Sequence, residues 1–170
     1  MTELSLVLLG VMPVLVIVAG LHDLTTMKIP NWISGVLILA FFPAALVLGL
    51  SLTEVATALA VGFVALLIGM GMFALRWVGG GDAKLMAAAS LWFGYSGAGP
   101  FVLYTALVGG GFCLMLLLAR ARLQVFALNG PGWVARLMQP KGDIPYGVAI
   151  AAGALLAYPS SPLVRAFIGG

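Results

Sequence analysis

An all-α fold, a polytopic membrane protein with six transmembrane helices, is predicted by three observations. The 170-residue chain is 63% hydrophobic and its mean hydropathy is +1.19. Only 8% of its residues are charged, against roughly 25% in a typical soluble domain. The apolar residues gather in long runs separated by turn signals and short basic stretches. A water-soluble fold of this length cannot bury so much apolar surface, so lipid must be the solvent. No separate soluble domain stands out, and residues 1–170 read as a single transmembrane domain.

The runs follow in order. The first, Leu4 to Leu21, is long enough to cross most of a hydrocarbon core at the α-helical rise. With Glu3 and no basic residue ahead of this run, no cleavable signal is expected. The second run extends from Trp32 or Ile33 to Leu50, and the third from about Val55 to Leu75. The fourth, Leu85 to Phe93, is short and needs Ala83, Lys84 and Gly94 to approach a span. Three glycines and Pro100 within 94–100 predict a turn before the fifth run, Phe101 to Ala119. The sixth is Ile144 to Tyr158, ended by Pro159 and Pro162, and the tail Leu163 to Ile168 is too short to cross. In the longest loop, Trp133 and Arg136 suggest an interfacial amphipathic turn.

Charge sets the orientation. Lys28, Arg76, Lys84, Arg120, Arg122, Arg136 and Lys141 fall in loops one, three and five, whereas Arg165 alone falls on the other side. The positive-inside rule then places those loops in the cytoplasm and both termini on the non-cytoplasmic side. The basic residues are spread along the chain rather than gathered on one surface, so no nucleic acid is expected as a partner.

The chain has five carboxylates. Glu3 and Glu54 sit at the outer ends of the first and third spans and read as solvated caps. Asp23 closes the first span, and Asp82 and Asp143 open the fourth and sixth, all at the cytoplasmic face. Asp82 and Asp143 suit helix N-termini, where the dipole favours an anion. Asp23 lies at a C-terminal end, where the dipole disfavours one, so another group, Lys28 or a partner acid, should account for it. Gly79-Gly80-Gly81 removes every side chain just before Asp82 and allows close backbone approach, which a cap alone would not need.

Two facing aspartates can share one proton, because like charges in apposition cannot both ionise readily. The ionised member can then activate water while the other hydrogen-bonds a scissile carbonyl. No other hydrolytic chemistry competes in the sequence. His22 is the sole histidine and Cys113 the sole cysteine, so no zinc triad, no HExxH motif and no disulfide framework is available. GxSxG is absent as well. His22 reads as an interfacial residue and Cys113 as a small packed hydrophobe.

Gly79-x-Gly81-Asp82, continued by Ala83-Lys84-Leu85, resembles the GxGDxKL form of the GxGD signature in bacterial type IV prepilin peptidases, which are intramembrane aspartyl proteases. Upstream, Asp23 followed by Ile29-Pro30-Asn31 resembles the element that holds that family's first aspartate. Downstream, Pro145-Tyr146-Gly147 resembles its last-span motif. The three motifs occur in order over nearly the whole chain, which is similar to the short subgroup found in tight-adherence and Flp-type pilus systems.

The resemblance implies an endopeptidase of the bacterial cytoplasmic (inner) membrane with its active site facing the cytoplasm. Its substrate would be a type IV (Flp-like) prepilin, from which it removes the leader peptide. Its partners would be that prepilin, membrane lipid, and components of the pilus or secretion machinery. Asp23 and Asp82 would be the catalytic pair, and Gly79, Gly81 and Lys84 would contact substrate. Pro30 and Asn31 would set a loop turn and cap the second span. No cofactor is implied, and methyl transfer is not, because the paired cysteines of the longer bifunctional members are missing. The residues alone leave a rival open: a non-enzymatic ion- or proton-translocating subunit with Asp23 and Asp82 as relay carboxylates. Relay acids tend to lie mid-span, however, and these lie at one face.

Overall fold

The computed structural model describes residues 3–127, 131–140 and 142–169. Lys141, counted above among the basic loop residues, lies outside them. Among the described residues every regular element is a helix, with no strand: α1 (Glu3–Thr26), α2 (Asn31–Val47), α3 (Leu52–Ala74), α4 (Gly80–Ala127), α5 (Gly132–Leu137), α6 (Tyr146–Ala157), a 3-10 turn (Tyr158–Ser160) and α7 (Pro162–Gly169). Four stretches, Glu3–Thr26, Leu52–Ala74, Gly80–Arg122 and Tyr146–Gly169, are long and apolar enough to cross a membrane, and α2 is a shorter apolar helix.

Close contacts at glycines give the directions. Gly69 of α3 meets Ala83 and Gly62 meets Leu91, so α3 and the first arm of α4 run antiparallel. Gly20 of α1 faces Gly147 and Ala151, while Leu9 accepts a 2.6 Å hydrogen bond from the Tyr158 hydroxyl, so α1 and α6 also oppose each other. Gly109 meets Ala149 and Gly153 meets Thr105, which makes the second arm of α4 antiparallel to α6. The first arm of α4 therefore leads away from the Asp23 end of the bundle and the second arm returns to it.

That reversal happens at one residue. Gly94 has φ 51° and ψ −159° and breaks the helical backbone inside α4. The turn expected over 94–100 is thus compressed to a single glycine, and Gly97, Gly99 and Pro100 are already helical. Gly94 is buried, and a Cβ there would lie 3.3 Å from Pro162. Buried backbone must find hydrogen-bond partners, and helix supplies them where an open loop would not. The first arm's end is closed by the Ser161 hydroxyl, which donates to the Trp92 carbonyl at 2.5 Å.

The core lies between α1, α2, the first arm of α4 and α6. Trp92 is fully buried, donates from its indole N–H to the Leu37 carbonyl at 3.0 Å, and meets Phe41 edge-on. Phe93 and Phe101 stack across the reversal with centroids 4.5 Å apart. The outward faces of α3 and of the second arm are apolar and exposed, as in Phe63, Ile68, Leu107 and Leu118. The expected tail is helical as α7, and the expected turn around Trp133 and Arg136 is the six-residue α5.

Candidate active site

The cleft-side ends of α1, α3, α4 and α6 surround a cleft of about 610 Å³. Asp23, Asp82 and Asp143 all line it, although 120 positions separate the first from the last. His22, Gly81 and Lys84 do not appear among its lining residues, whereas Gly79 does.

Asp23 sits inside α1, which runs five residues beyond the expected end of the first span, and it is only 5% exposed. The group that accounts for it is a backbone donor rather than Lys28: the Gly147 N–H donates to Asp23 Oδ2 at 2.8 Å. This contact needs glycine. A Cβ on Gly147 would lie 2.9 Å from Asp23 Cβ, from Asp23 Oδ2 and from Ile29 Cδ1. Lys28 instead presents its main-chain carbonyl to His22 Nδ1 at 2.7 Å, with Thr26 also bonded to that ring, so His22 ties the end of α1 to the following loop.

Asp82 lies in the first turn of α4, where the Gly79 N–H donates to its Oδ2 at 3.1 Å. Ala83 in turn donates to the Gly79 carbonyl. Gly79 is therefore the N-cap residue and Asp82 the third residue of the helix, the acidic half of a capping box. That arrangement engages one carboxylate oxygen. The other, Oδ1, is buried and has no hydrogen-bond partner among the described residues. An unpartnered buried carboxylate oxygen is costly, and such an oxygen marks a place where water or a ligand group belongs. Asp23 and Asp82 are close enough for the charge of one to bear on the other.

The glycines before Asp82 do separate jobs. A Cβ on Gly81 would approach Ile29 Cβ to 3.1 Å, so the chain's own Ile29 occupies the space that glycine leaves. Ile29 also reaches Gly147, and it is thereby wedged between the start of α4, which carries Asp82, and the start of α6, whose Gly147 N–H holds Asp23. Asn31 does not cap α2. No side-chain cap bond is made there, and Asn31 Oδ1 instead accepts from Lys84 Nζ at 3.1 Å. Asp143 does not cap α6 either, because that helix begins at Tyr146 with Pro145 at its N-cap. Glu54 meets its expectation: with Ser51 it forms a full capping box at the start of α3.

Several features of the site were not singled out in the sequence. Met27 and Arg76 have φ of 57° and 60°, and among the described residues no other non-glycine has a positive φ. Both line the cleft. Gly147 had a signal, the Pro145-Tyr146-Gly147 motif, but nothing in that motif reveals its contact with Asp23. Arg120 is 6% exposed and its guanidinium bonds the carbonyls of Leu137, Gly142 and Asp143. A basic residue ending an apolar run reads as an interfacial anchor, which hides this role. Among the described residues no three His, Cys, Asp or Glu side chains form a group that could hold a metal ion.

A helical membrane protein with an aspartate-lined cleft at one end of its bundle is the class that fold and site define. The sequence profile of the type IV leader peptidase family matches residues 10–114, well over half the chain, and the chain belongs to that family. Membership carries with it a protease function of the leader-peptidase kind and the processing of prepilin substrates. No curated protein and no solved structure matches the chain. The matched region holds Asp23 and Asp82, whereas Arg120, Asp143 and Gly147 lie beyond it.

Proposed function

We propose that the protein is an aspartyl endopeptidase of the bacterial inner membrane that cleaves the leader from Flp-like type IV prepilins at the cytoplasmic face. Asp23 and Asp82 act as the catalytic pair. The observation that carries this reading is the pairing itself. Two aspartates from distant parts of the chain line one cleft, each anchored through Oδ2 by a glycine N–H, and Asp82 keeps Oδ1 without a partner.

The chemistry follows from one proton shared by the pair. The ionised carboxylate takes a proton from a water molecule as its oxygen attacks the scissile carbonyl carbon. The protonated carboxyl donates a hydrogen bond to the carbonyl oxygen, whose charge grows in the tetrahedral intermediate. The C–N bond then breaks and the departing amine takes up a proton, leaving the pair with one proton again. The glycine N–H groups hold both carboxylates in place, so that little reorganisation accompanies the reaction.

The chain crosses the membrane six times in this reading, with both termini outside and residues 1–170 as one peptidase domain. The antiparallel contacts and the basic residues flanking the cleft-side ends support that topology. Gly79, on the cleft wall, contacts substrate. Gly81 and Lys84 serve the same site from behind, through Ile29 and Asn31. The ion-relay alternative gains no support, because the three cleft acids gather at one end of the bundle. The test is prepilin processing, followed on a gel, by Asp23→Asn and Asp82→Asn singly. Loss in each variant at normal protein level is expected; processing by either one overturns the pair.

A further inference from the structure

Arg120 is a buried cation whose three guanidinium nitrogens each donate to a main-chain oxygen. Nε donates to the Leu137 carbonyl at 2.8 Å, Nη1 to Gly142 at 2.8 Å and Nη2 to Asp143 at 2.7 Å. These carbonyls belong to the end of α5 and to the segment that leads into α6. Four residues after Asp143 comes Gly147, whose N–H bonds Asp23. Between them stands Pro145, fully buried and with φ −74°, which makes the connection stiff. A rigid path thus runs from the Arg120 guanidinium to the Asp23 carboxylate, while the same clamp fixes the backbone of Asp143 on the cleft wall.

We infer that Arg120 is a positioning residue for the proteolytic site: by clamping three carbonyls of the α5–α6 connection, it sets where the Gly147 N–H meets Asp23. Arginine suits this task because its planar fork presents donors from three separate nitrogens in fixed directions, whereas lysine offers its donors from one nitrogen. The inference rests on the reading of Asp23 and Asp82 as the catalytic pair. It accounts for a charged residue buried in the second arm of α4 with, among the described residues, no acidic side chain bonded to its nitrogens.

The test uses the full chain in lipid nanodiscs with a prepilin substrate, comparing wild type, Arg120→Met, Arg120→Lys and Asp82→Asn. Two quantities are read: steady-state kcat and KM, and hydrogen–deuterium exchange of the amides within 144–148 (all but Pro145), which needs no activity. Arg120→Met should lower kcat on the order of 10- to 100-fold with KM within about threefold, since a small misplacement of a reacting group has that effect. Exchange at 144–148 should rise about tenfold or more, as expected when a local hydrogen-bond clamp is lost. Arg120→Lys should fall between wild type and Arg120→Met on both readouts.

Unchanged exchange, or faster exchange with unchanged kcat, overturns the positioning role. So does a rise in KM alone. If Arg120→Met does not accumulate, Arg120→Lys decides, and failure of both to accumulate overturns the proposal by making Arg120 a folding residue. If Asp82→Asn cleaves as well as wild type, the catalytic pair fails while the exchange result still stands on its own.

Discussion

The two ends of the helix bundle follow different rules. At the end away from the cleft, three turning points are built as local chemistry prefers. α2 closes on Gly49 at φ 72°, α3 opens with the Ser51–Glu54 capping box, and α4 reverses at Gly94. Glycine is the residue that enters positive φ without a Cβ clash. At the cleft end the corresponding positions belong to Met27 and Arg76, which adopt φ of 57° and 60° despite their side chains. Arg76 even completes a Schellman motif, with Trp77 donating to the Met72 carbonyl and Arg76 to Phe73, in the place where glycine is usual. Asp82 adds a buried oxygen without a partner at this same end. Departures from local preference tend to concentrate where function overrides stability, and here they lie around one cleft.

That contrast can be broken or sharpened by substitution, and the largest effect is expected at Gly147. Gly147→Ala puts a methyl group 2.9 Å from Asp23 and Ile29, and both neighbours are packed. Processing should drop by on the order of 100-fold, because the displaced group is Asp23 itself. Stability should fall by about 1–3 kcal/mol, the usual effect of overpacking. A variant with wild-type processing would show that the Gly147–Asp23 contact is dispensable. Gly35→Ala is the matched control, since nothing lies within 4 Å of its Cβ. It should leave processing unchanged and raise stability by about 0.5–1 kcal/mol through helix propensity.

A smaller effect, of the opposite kind, belongs to the far end. Ser51→Ala removes the two hydrogen bonds of the Ser51 hydroxyl, one of them the hydroxyl half of the capping box, and should lower stability by about 1 kcal/mol. Processing per folded molecule should not change, and a kinetic defect there would erase the distinction between the two ends. The smallest effect is expected for Arg76→Gly. Relief of the left-handed conformation should raise stability, by at most about 1 kcal/mol, in a thermal melt. A lower melting temperature would mean that the Arg76 side chain contributes more than its backbone strain costs.

How far the sequence could be read differs in the same way between the two ends. Glu54 as a cap was legible because a capping box depends on residues three apart. Long apolar runs made the helical class legible, and spacing placed Asp23 and Asp82 at one face. The turn over 94–100 was misjudged, because glycine and proline mark loops in water, whereas buried backbone near lipid is driven to stay helical. Asn31 and Asp143 looked like caps from local pattern alone, yet Asn31 answers to Lys84 across 53 residues and Asp143 is placed by the hold of Arg120 on its carbonyl. Gly81 looked like room for a substrate and is filled by Ile29. Each of these depends on a partner distant in sequence, which no local pattern records.

The central claim is that Asp23 and Asp82 meet across the cleft. It is tested most directly by Asp23→Cys/Asp82→Cys in a Cys113→Ala background, treated in membranes with a short thiol-to-thiol cross-linker. Lys84→Cys/Asn31→Cys, at a pair already joined by a 3.1 Å hydrogen bond, serves as the positive control. Cross-linking of positions 23 and 82 to an extent comparable with the control is the required result. Cross-linking of the control pair alone, with 23 and 82 both freely alkylated, would contradict the account.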